Sequence, residues 1–424
     1  MSLDNASITF EIQMKYDIYK ENKIIKGELV LPSSKSISNR LLMIRAIAKR
    51  NFEIYNLSYS DDTKSLLDIL KSDSNVFDVG SAGTTMRFLT SYLANKPGEW
   101  TITGSDRMKN RPIGILVNAL KELGVKIEYL EKDGFPPIKI YGTKLEGGNI
   151  EISGSISSQF ISSLLLIAPT LPKGLNIKLK SKIVSKPYID MTLNLMRKFG
   201  IKSRWEGNHL IVEKQSYRVK DFTVEADWSS ASYWYELATL ADWADIKLYG
   251  LKKNSIQGDS IVAKLFEQLG IKTTFIQGGA RIRKVSNPKI KNFEYDFSDI
   301  PDLAQTLAVT LSMLNIPFSL SGLDTLLIKE TNRIRALKNE LLKTGTNLAI
   351  TSDTISKFGN SNFNKYHSNT LLFKTYNDHR MVLSLTPLAI LQRISIEDPE
   401  VVSKSYPGYW EDIQKLGFNI NNNE

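Results

Sequence analysis

The sequence predicts an α/β fold built from a repeated unit, and three observations carry that expectation. Helical and strand-like hydrophobic periodicities alternate along the 424 residues. One pattern returns: an apolar helix end, a Gly, then a short strand. It occurs at 120–125, 196–201, 266–271 and 413–418, and more weakly at 341–345. Finally, neither G-x-G-x-x-G nor G-x-x-x-x-G-K-S/T occurs, so the common nucleotide-binding α/β folds lose ground.

The repeat sets the organisation. Gly124, Gly200, Gly270, Gly345 and Gly417 lie roughly 70–76 residues apart. A Gly just past a helix is the expected left-handed C-cap. Residues 66–70 read as a sixth copy without the Gly, and six units of roughly 70 residues fill the chain. Helical spacing predicts helices over 63–71, 113–123, 189–199, 260–269 and 334–342. Alternation and β-branched content predict strands over 126–130, 138–141, 150–152, 176–179 and 209–212. The apolar runs 160–171 and 381–391 are too short or too interrupted to span a bilayer and read as buried helices. The Asn/Ser-rich stretch 357–369 reads as a surface loop, and 419–424 as a loose tail.

Composition narrows the function. A hydrophobic content of 42% and a charged content of 24% are those of a globular chain. The length calls for two or more domains. A surplus of 55 basic over 45 acidic residues, +10 net, suits acidic ligands and leaves nucleic acid open on charge alone. The absence of Cys excludes disulfides, thiolate nucleophiles and Cys-bound metal, and fits a cytoplasmic setting. His209, His367 and His379 are not at metal-ligand spacing. The N-terminus has no basic-then-apolar signal pattern.

Six stretches place a polar or charged cluster ahead of an amphipathic helix. They begin at Ser33, Gly80, Asn110, Gly154, Asp299 and Asn377. A helix N-terminus offers unpaired N–H groups and partial positive charge, a ready anion site. Lys35, Ser36 and Arg40 suit phosphate or carboxylate. Gly83 permits close backbone approach. Arg111, beside Pro112 at a helix opened by that Pro, is placed for bidentate oxyanion binding. Ser157, Ser158 and Gln159 offer neutral donors. Asp302 and Glu330 are acids set among cations, as proton transfer requires. Each cluster alone reads equally well as an ordinary cap with solvated charges, and Lys404 alone as a lysine near a turn.

Taken in order, the motifs resemble one family, the 5-enolpyruvylshikimate-3-phosphate synthases, from about Gly27 to Trp410. The residues that carry the resemblance include Lys35-Ser36-Ile37-Ser38-Asn39-Arg40, Ala82-Gly83-Thr84-Thr85-Met86-Arg87 and Arg107-Met108-Lys109-Asn110-Arg111-Pro112. Further along are Ser157-Ser158-Gln159-Phe160, Val184-Ser185-Lys186-Pro187-Tyr188, Asp227-Trp228-Ser229-Ser230-Ala231-Ser232, Ile300-Pro301-Asp302, Lys329-Glu330-Thr331-Asn332-Arg333 and Asn377-Asp378-His379-Arg380.

The resemblance implies two similar domains, each of three βαβαββ units, with the active site in the cleft between them. The chain would cross near Ser33 and Glu225, giving one domain over 33–225, mainly on the shikimate 3-phosphate side, and a discontinuous one over 1–32 with 226–424. It implies transfer of the enolpyruvyl group of phosphoenolpyruvate to the 5-hydroxyl of shikimate 3-phosphate, with no cofactor, no metal, and a monomer. By motif position, Lys35, Gly83, Arg111, Gln159, Arg333, Arg380 and Lys404 would hold phosphoenolpyruvate. Ser36, Arg40, Ser157, Ser158, Gln159, Ser185, Tyr188, Asp302 and Lys329 would hold shikimate 3-phosphate. Asp302 would be the base for the hydroxyl, Glu330 would exchange the proton of the methylene carbon, and Lys35 would share the proton work. Cations around Glu330 favour its ionised form, whereas a donor must be protonated.

Ser81, Phe88, Thr325 and Asn332 depart from common family residues, which bears on inhibitor sensitivity (glyphosate especially) and substrate affinity. Two neighbouring activities compete. UDP-N-acetylglucosamine enolpyruvyl transferases usually carry a Cys near phosphoenolpyruvate, and RNA 3′-phosphate cyclases need an adenylylated His. A non-catalytic nucleic-acid binder is the alternative from another class, but the cations sit beside carboxylates at helix starts and form no long basic run.

Overall fold

The computed structural model describes residues 14–155, 157–359 and 370–423, with nothing said of the Asn423 side chain. Ile156 of the Ser157 motif, His367 and most of the loop expected over 357–369 lie outside the described residues. Six sheets occur among those described, five of four strands and one of two. The five share one pattern: a parallel pair, then two strands in antiparallel pairing, which form a hairpin in four sheets and come from opposite ends of the chain in the fifth. In one, Val76–Asp78 runs parallel to Gly98–Thr103, and Ile138–Gly142 and Lys126–Tyr129 follow antiparallel. Chain order within this sheet is βαβαββ, with the helix Gly83–Ala94 as the crossover that a parallel pair needs. The two-stranded sheet pairs Phe222–Thr223 in parallel with Ile54–Tyr55.

The repeat glycines cap helices as the spacing predicts. All five have φ between 78° and 94°, where a Cβ would be strained. The expected strands and helices form within a few residues of their predicted ends. Two expectations fail. The tail is no loose end: Asn419–Asn423 pairs antiparallel with Lys15–Tyr19, because backbone ladder bonds do not need apolar side chains. Lys357 is not in a surface loop. It ends the strand Ile355–Lys357 with its side chain buried, and its Nζ donates to Asn315 Oδ1 at 2.8 Å.

Two hydrophobic cores form. One collects residues from Ile37 to Val224, and the other joins Ile18–Leu31 to residues from Ala226 to Phe418. The chain passes between these lobes at a single junction, where Ser33 bridges Ala226 and Ser34 N donates to Glu225 O at 2.9 Å.

Six largely buried helices run through the two cores. They are Lys35–Ala48, Gly83–Ala94 and Ser158–Ile167 in the first lobe, and Trp228–Leu240, Ala304–Met313 and His379–Leu385 in the second. Five of the six stretches marked in the sequence lead into them. The sixth, at Asn110, leads instead into Gly114–Glu122, which starts two residues after Pro112 and not at it. Its place among the six is taken by Trp228–Leu240, whose N-cap Asp227 accepts from Ser230 N at 2.8 Å. That start carries an acid and hydroxyls and no cation.

Candidate active site

All six buried helices begin at one cavity of about 120 Å³ between the lobes. Its wall includes Lys35, Ser36, Arg40, Gly83, Arg111, Ser157, Ser158, Gln159, Ser185 and Tyr188 from the first lobe. From the second come Asp302, Lys329, Glu330, Arg333 and Arg380. Every residue selected from the sequence therefore lies here except Lys404, which borders an adjoining cavity of about 260 Å³ together with Arg107, Arg111 and Glu330. A larger hollow of about 1270 Å³ on the first lobe gathers surface cations but none of these residues.

Local structure explains how each group is held. Gly83 opens its helix with Arg111 laid against it; a Cβ there would lie 2.6 Å from Arg111 Nη2. Ser157 both caps its helix, accepting from Gln159 N at 3.3 Å, and faces the cavity. Gln159 Nε2 donates to Thr84 Oγ1 at 3.2 Å. Ser185 has φ 54°, a left-handed conformation unusual for Ser, and its N donates across the lobes to Ser298 O at 2.7 Å. Arg40 is buried and engages Thr192 Oγ1, Ser36 O, Ser162 Oγ and Tyr188 O at 2.7–3.3 Å. Lys35 Nζ lies 2.9 Å from Asp62 Oδ2, and Lys404 Nζ donates to Asn377 O at 3.0 Å.

The two acids sit in one cationic lattice. Asp302 Oδ2 receives Arg380 Nη2 at 2.8 Å and the Tyr188 hydroxyl at 3.0 Å, and its Oδ1 receives Arg333 Nη1 at 3.3 Å. Glu330 Oε2 receives Arg333 Nη2 at 2.9 Å, and its Oε1 lies 3.9 Å from Arg111 Nη1. Burial pushes the Asp302 carboxyl up, but Arg380, Lys329 and Arg333 outweigh it and hold the group well below the usual carboxylate range. Glu330 meets the same contest, and Arg333 and Arg111 hold it well below too. Both acids are ionised at neutral pH, so the cations win the competition the sequence left open. Burial lowers Lys329 against the pull of Asp302. Burial and Lys35 depress His379 well below the usual imidazole range, so it is neutral.

Several residues in the wall or directly behind it had no role assigned from sequence. Asp62 lies in the first turn of Asp61–Lys71, just ahead of the helix expected over 63–71. Asp378 and His379 stood in a marked cluster whose ordinary reading was an exposed helix start, yet both are buried. Arg87 ends one quoted motif and Tyr233 directly follows another, and neither gave a further signal. Of the departures, Thr325 faces the cavity with Oγ1 free of partners. Phe88 turns away beneath Arg40, 5.4 Å from the guanidinium. Asn332 caps Arg333–Leu342, accepting from Arg335 N at 3.1 Å.

Seven cationic side chains face four carboxylates on this wall, a surplus that suits a bound polyanion. Among the described residues no group of three His, Asp or Glu is placed to hold a metal ion, and no helix is long and apolar enough to cross a membrane.

This fold is that of the enolpyruvyl transferases. EPSP synthase from Acinetobacter baumannii superposes with a TM-score of 0.75 at 21% identity, covering 97% of this chain and 100% of that one. The enolpyruvyl transferase NikO from Streptomyces tendae superposes with 0.74 at 15% identity, covering 97% and 99%. The family model for EPSP synthase (3-phosphoshikimate 1-carboxyvinyltransferase) matches residues 19–75 and 71–413. The 3-phosphoshikimate 1-carboxyvinyltransferase of Bacteroides fragilis is 48% identical over 398 residues, 93% of this chain and 96% of that protein. That of a Sulfurovum species is 36% identical over 427 residues, 94% and 98%. The chain belongs to the EPSP synthase family.

Proposed function

We propose that the chain transfers the enolpyruvyl group of phosphoenolpyruvate to the 5-hydroxyl of shikimate 3-phosphate, releasing phosphate, in aromatic amino-acid biosynthesis. The observation that carries this reading is the pairing of two ionised carboxylates, Asp302 and Glu330, with a surplus of cations in one cavity between two lobes. Each substrate brings a phosphate and a carboxylate, which is the charge this surplus offsets.

Lys35, Arg111, Arg333, Arg380 and Lys404 hold phosphoenolpyruvate, with Gly83 and Gln159 lining its pocket. Ser36, Arg40, Ser157, Ser158, Ser185, Tyr188 and Lys329 hold shikimate 3-phosphate, whose 5-hydroxyl meets Asp302. As the hydroxyl gives its proton to Asp302, its oxygen bonds to C2 of phosphoenolpyruvate and a proton from Glu330 adds to C3, giving a tetrahedral intermediate. Loss of a proton from that methyl carbon and cleavage of the bond from C2 to the phosphate oxygen complete the transfer. Glu330 is the donor to C3 and then the acceptor, with Lys35 sharing the proton work. Its low pKa rests on Arg333 and Arg111. An incoming anion offsets those cations, so substrate binding raises Glu330 towards the protonated form a donor needs.

The two cores are two domains, 33–225 and 1–32 with 226–424. A cavity of about 120 Å³ is small beside ordinary ligand pockets, so entry of the substrates requires the lobes to part and then close. The chain works as a cytoplasmic monomer on two small molecules, without cofactor, nucleic acid or membrane. Phosphate release assayed with each substrate alone and with both tests the assignment. Release is expected only with both. Release with UDP-N-acetylglucosamine in place of shikimate 3-phosphate overturns it.

A further inference from the structure

Lys329 and Glu330 stand in a short link between the 3-10 turn Asp324–Ile328 and the helix Arg333–Leu342. Neither element holds the link by its own ladder. Among the described residues, the backbone of 329–331 takes its hydrogen bonds from the other lobe: Arg107 Nε and Nη2 both donate to Lys329 O, at 3.0 and 2.6 Å. Arg107 is itself firmly mounted. It sits on the short helix Asp106–Lys109, whose N-cap Ser105 accepts from Met108 N at 3.3 Å, and the Met108 side chain anchors that turn in the first core.

The carbonyl that Arg107 grips belongs to the peptide between Lys329 and Glu330. Rotation of that peptide moves both side chains at once, Lys329 relative to Asp302 and Glu330 relative to Arg111 and Arg333. Two donors of one rigid fork on a single oxygen fix direction as well as distance, which a lone ammonium does not. The contact also exists only while the lobes are together, since its halves lie on opposite cores.

We propose that Arg107 is a positioning residue, reaching across the cleft to lock the Lys329–Glu330 peptide so that the carboxylate stands in its working place only in the closed enzyme. The inference rests on the reading of Glu330 as the proton-exchanging acid. The competing role is direct: Arg107 borders the smaller cavity with Arg111 and Lys404 and would there hold substrate anion itself.

Arg107 is exposed, so its replacement leaves the cores intact. Steady-state kinetics of Arg107→Ala and Arg107→Lys separate the two roles. Positioning predicts kcat lower by roughly 10–100-fold in the Ala variant, with KM for both substrates within about threefold of the parent, and partial recovery in the Lys variant. A kcat within about twofold of the parent, or a loss confined to a raised KM for phosphoenolpyruvate, overturns it. Hydrogen exchange gives a readout that does not depend on activity. The amides of Arg335 and Ala336, which donate to Asn332 at the end of the link, should exchange faster in Arg107→Ala than in the parent, and unchanged exchange there also overturns the proposal. Should the parent release no phosphate from the two substrates, the functional reading fails by itself, while the exchange result still decides whether Arg107 holds the link.

Discussion

Arg333 and Asp378, both buried, meet through two parallel hydrogen bonds: Nε to Oδ2 at 2.8 Å and Nη2 to Oδ1 at 3.1 Å. This fork leaves the rest of the guanidinium facing the cavity, with Nη1 towards Asp302 and Nη2 towards Glu330. Asp378 thus sets the plane of the group that ties the two acids together. It also caps its own helix, accepting from Arg380 N at 2.9 Å.

Removing that carboxylate leaves a buried guanidinium without its main partner. Asp378→Ala is expected to lower unfolding free energy by about 3–5 kcal/mol, the usual result of breaking one side of a buried pair. Urea titration measures it. Asp378→Asn keeps an acceptor for the cap and should lose less. Equal losses in the two variants would show that the charge of Asp378, which both remove, is what Arg333 needs, and that the retained acceptor adds nothing.

Gly83 and Arg111 form a second dependent pair, because a Cβ on the glycine occupies the place of the guanidinium. Gly83→Ala should therefore displace Arg111 and raise KM for phosphoenolpyruvate more than KM for shikimate 3-phosphate. Arg111→Lys should act in the same direction, since a fork of donors becomes a point charge. An unchanged KM for phosphoenolpyruvate in both variants would place that substrate elsewhere.

Glu330 has the clearest kinetic signature. Glu330→Ala is expected to reduce kcat by roughly 10²–10⁴-fold, the range for loss of a general acid–base group. A near-normal rate removes it from the proton path. Its depressed pKa adds a further expectation for Glu330→Gln, which abolishes charge but keeps size. Phosphoenolpyruvate should bind this variant more tightly than the parent, because a neutral amide no longer competes for Arg333 and Arg111.

Much of this was legible in the sequence, and the part that was not has a physical reason. Repeat glycines mark helix ends because only a residue without Cβ takes a positive φ there cheaply. Cations next to hydroxyls and glycines mark helix starts that meet anions. Partners of those cations are harder to read. Asp62, Asp378 and Arg107 act on Lys35, Arg333 and Lys329 through pairings that span 27, 45 and 222 residues. No local pattern encodes such distances. The tail strand 419–423 leaves no sequence signal because its polar side chains hide a backbone pairing made with the opposite end of the chain.

Asp259 shows how the site strains the fold. It is buried in the 3-10 turn Gly258–Ile261, takes a hydrogen bond from the Ser229 hydroxyl, and feels the charge of Asp302. Burial first, and Asp302 next, push its carboxyl up to about 7, against the downward pull of Ser229 and Arg380. An unfolded Asp titrates near 3.9. Between these values the folded chain keeps a proton that the unfolded chain has released, so stability falls as pH rises through that window, by up to about 1.4 kcal/mol per unit. Above it the penalty is complete. Asp259→Asn accepts the Ser229 hydrogen bond without ever ionising. Measured by urea titration, the variant should match the parent most closely near the acid end of the window, gain on it as pH rises through the window, and keep that lead at pH 8. Parallel curves for the two proteins would mean that the folded chain holds Asp259 ionised throughout, and that Ser229 and Arg380 offset the burial of its charge.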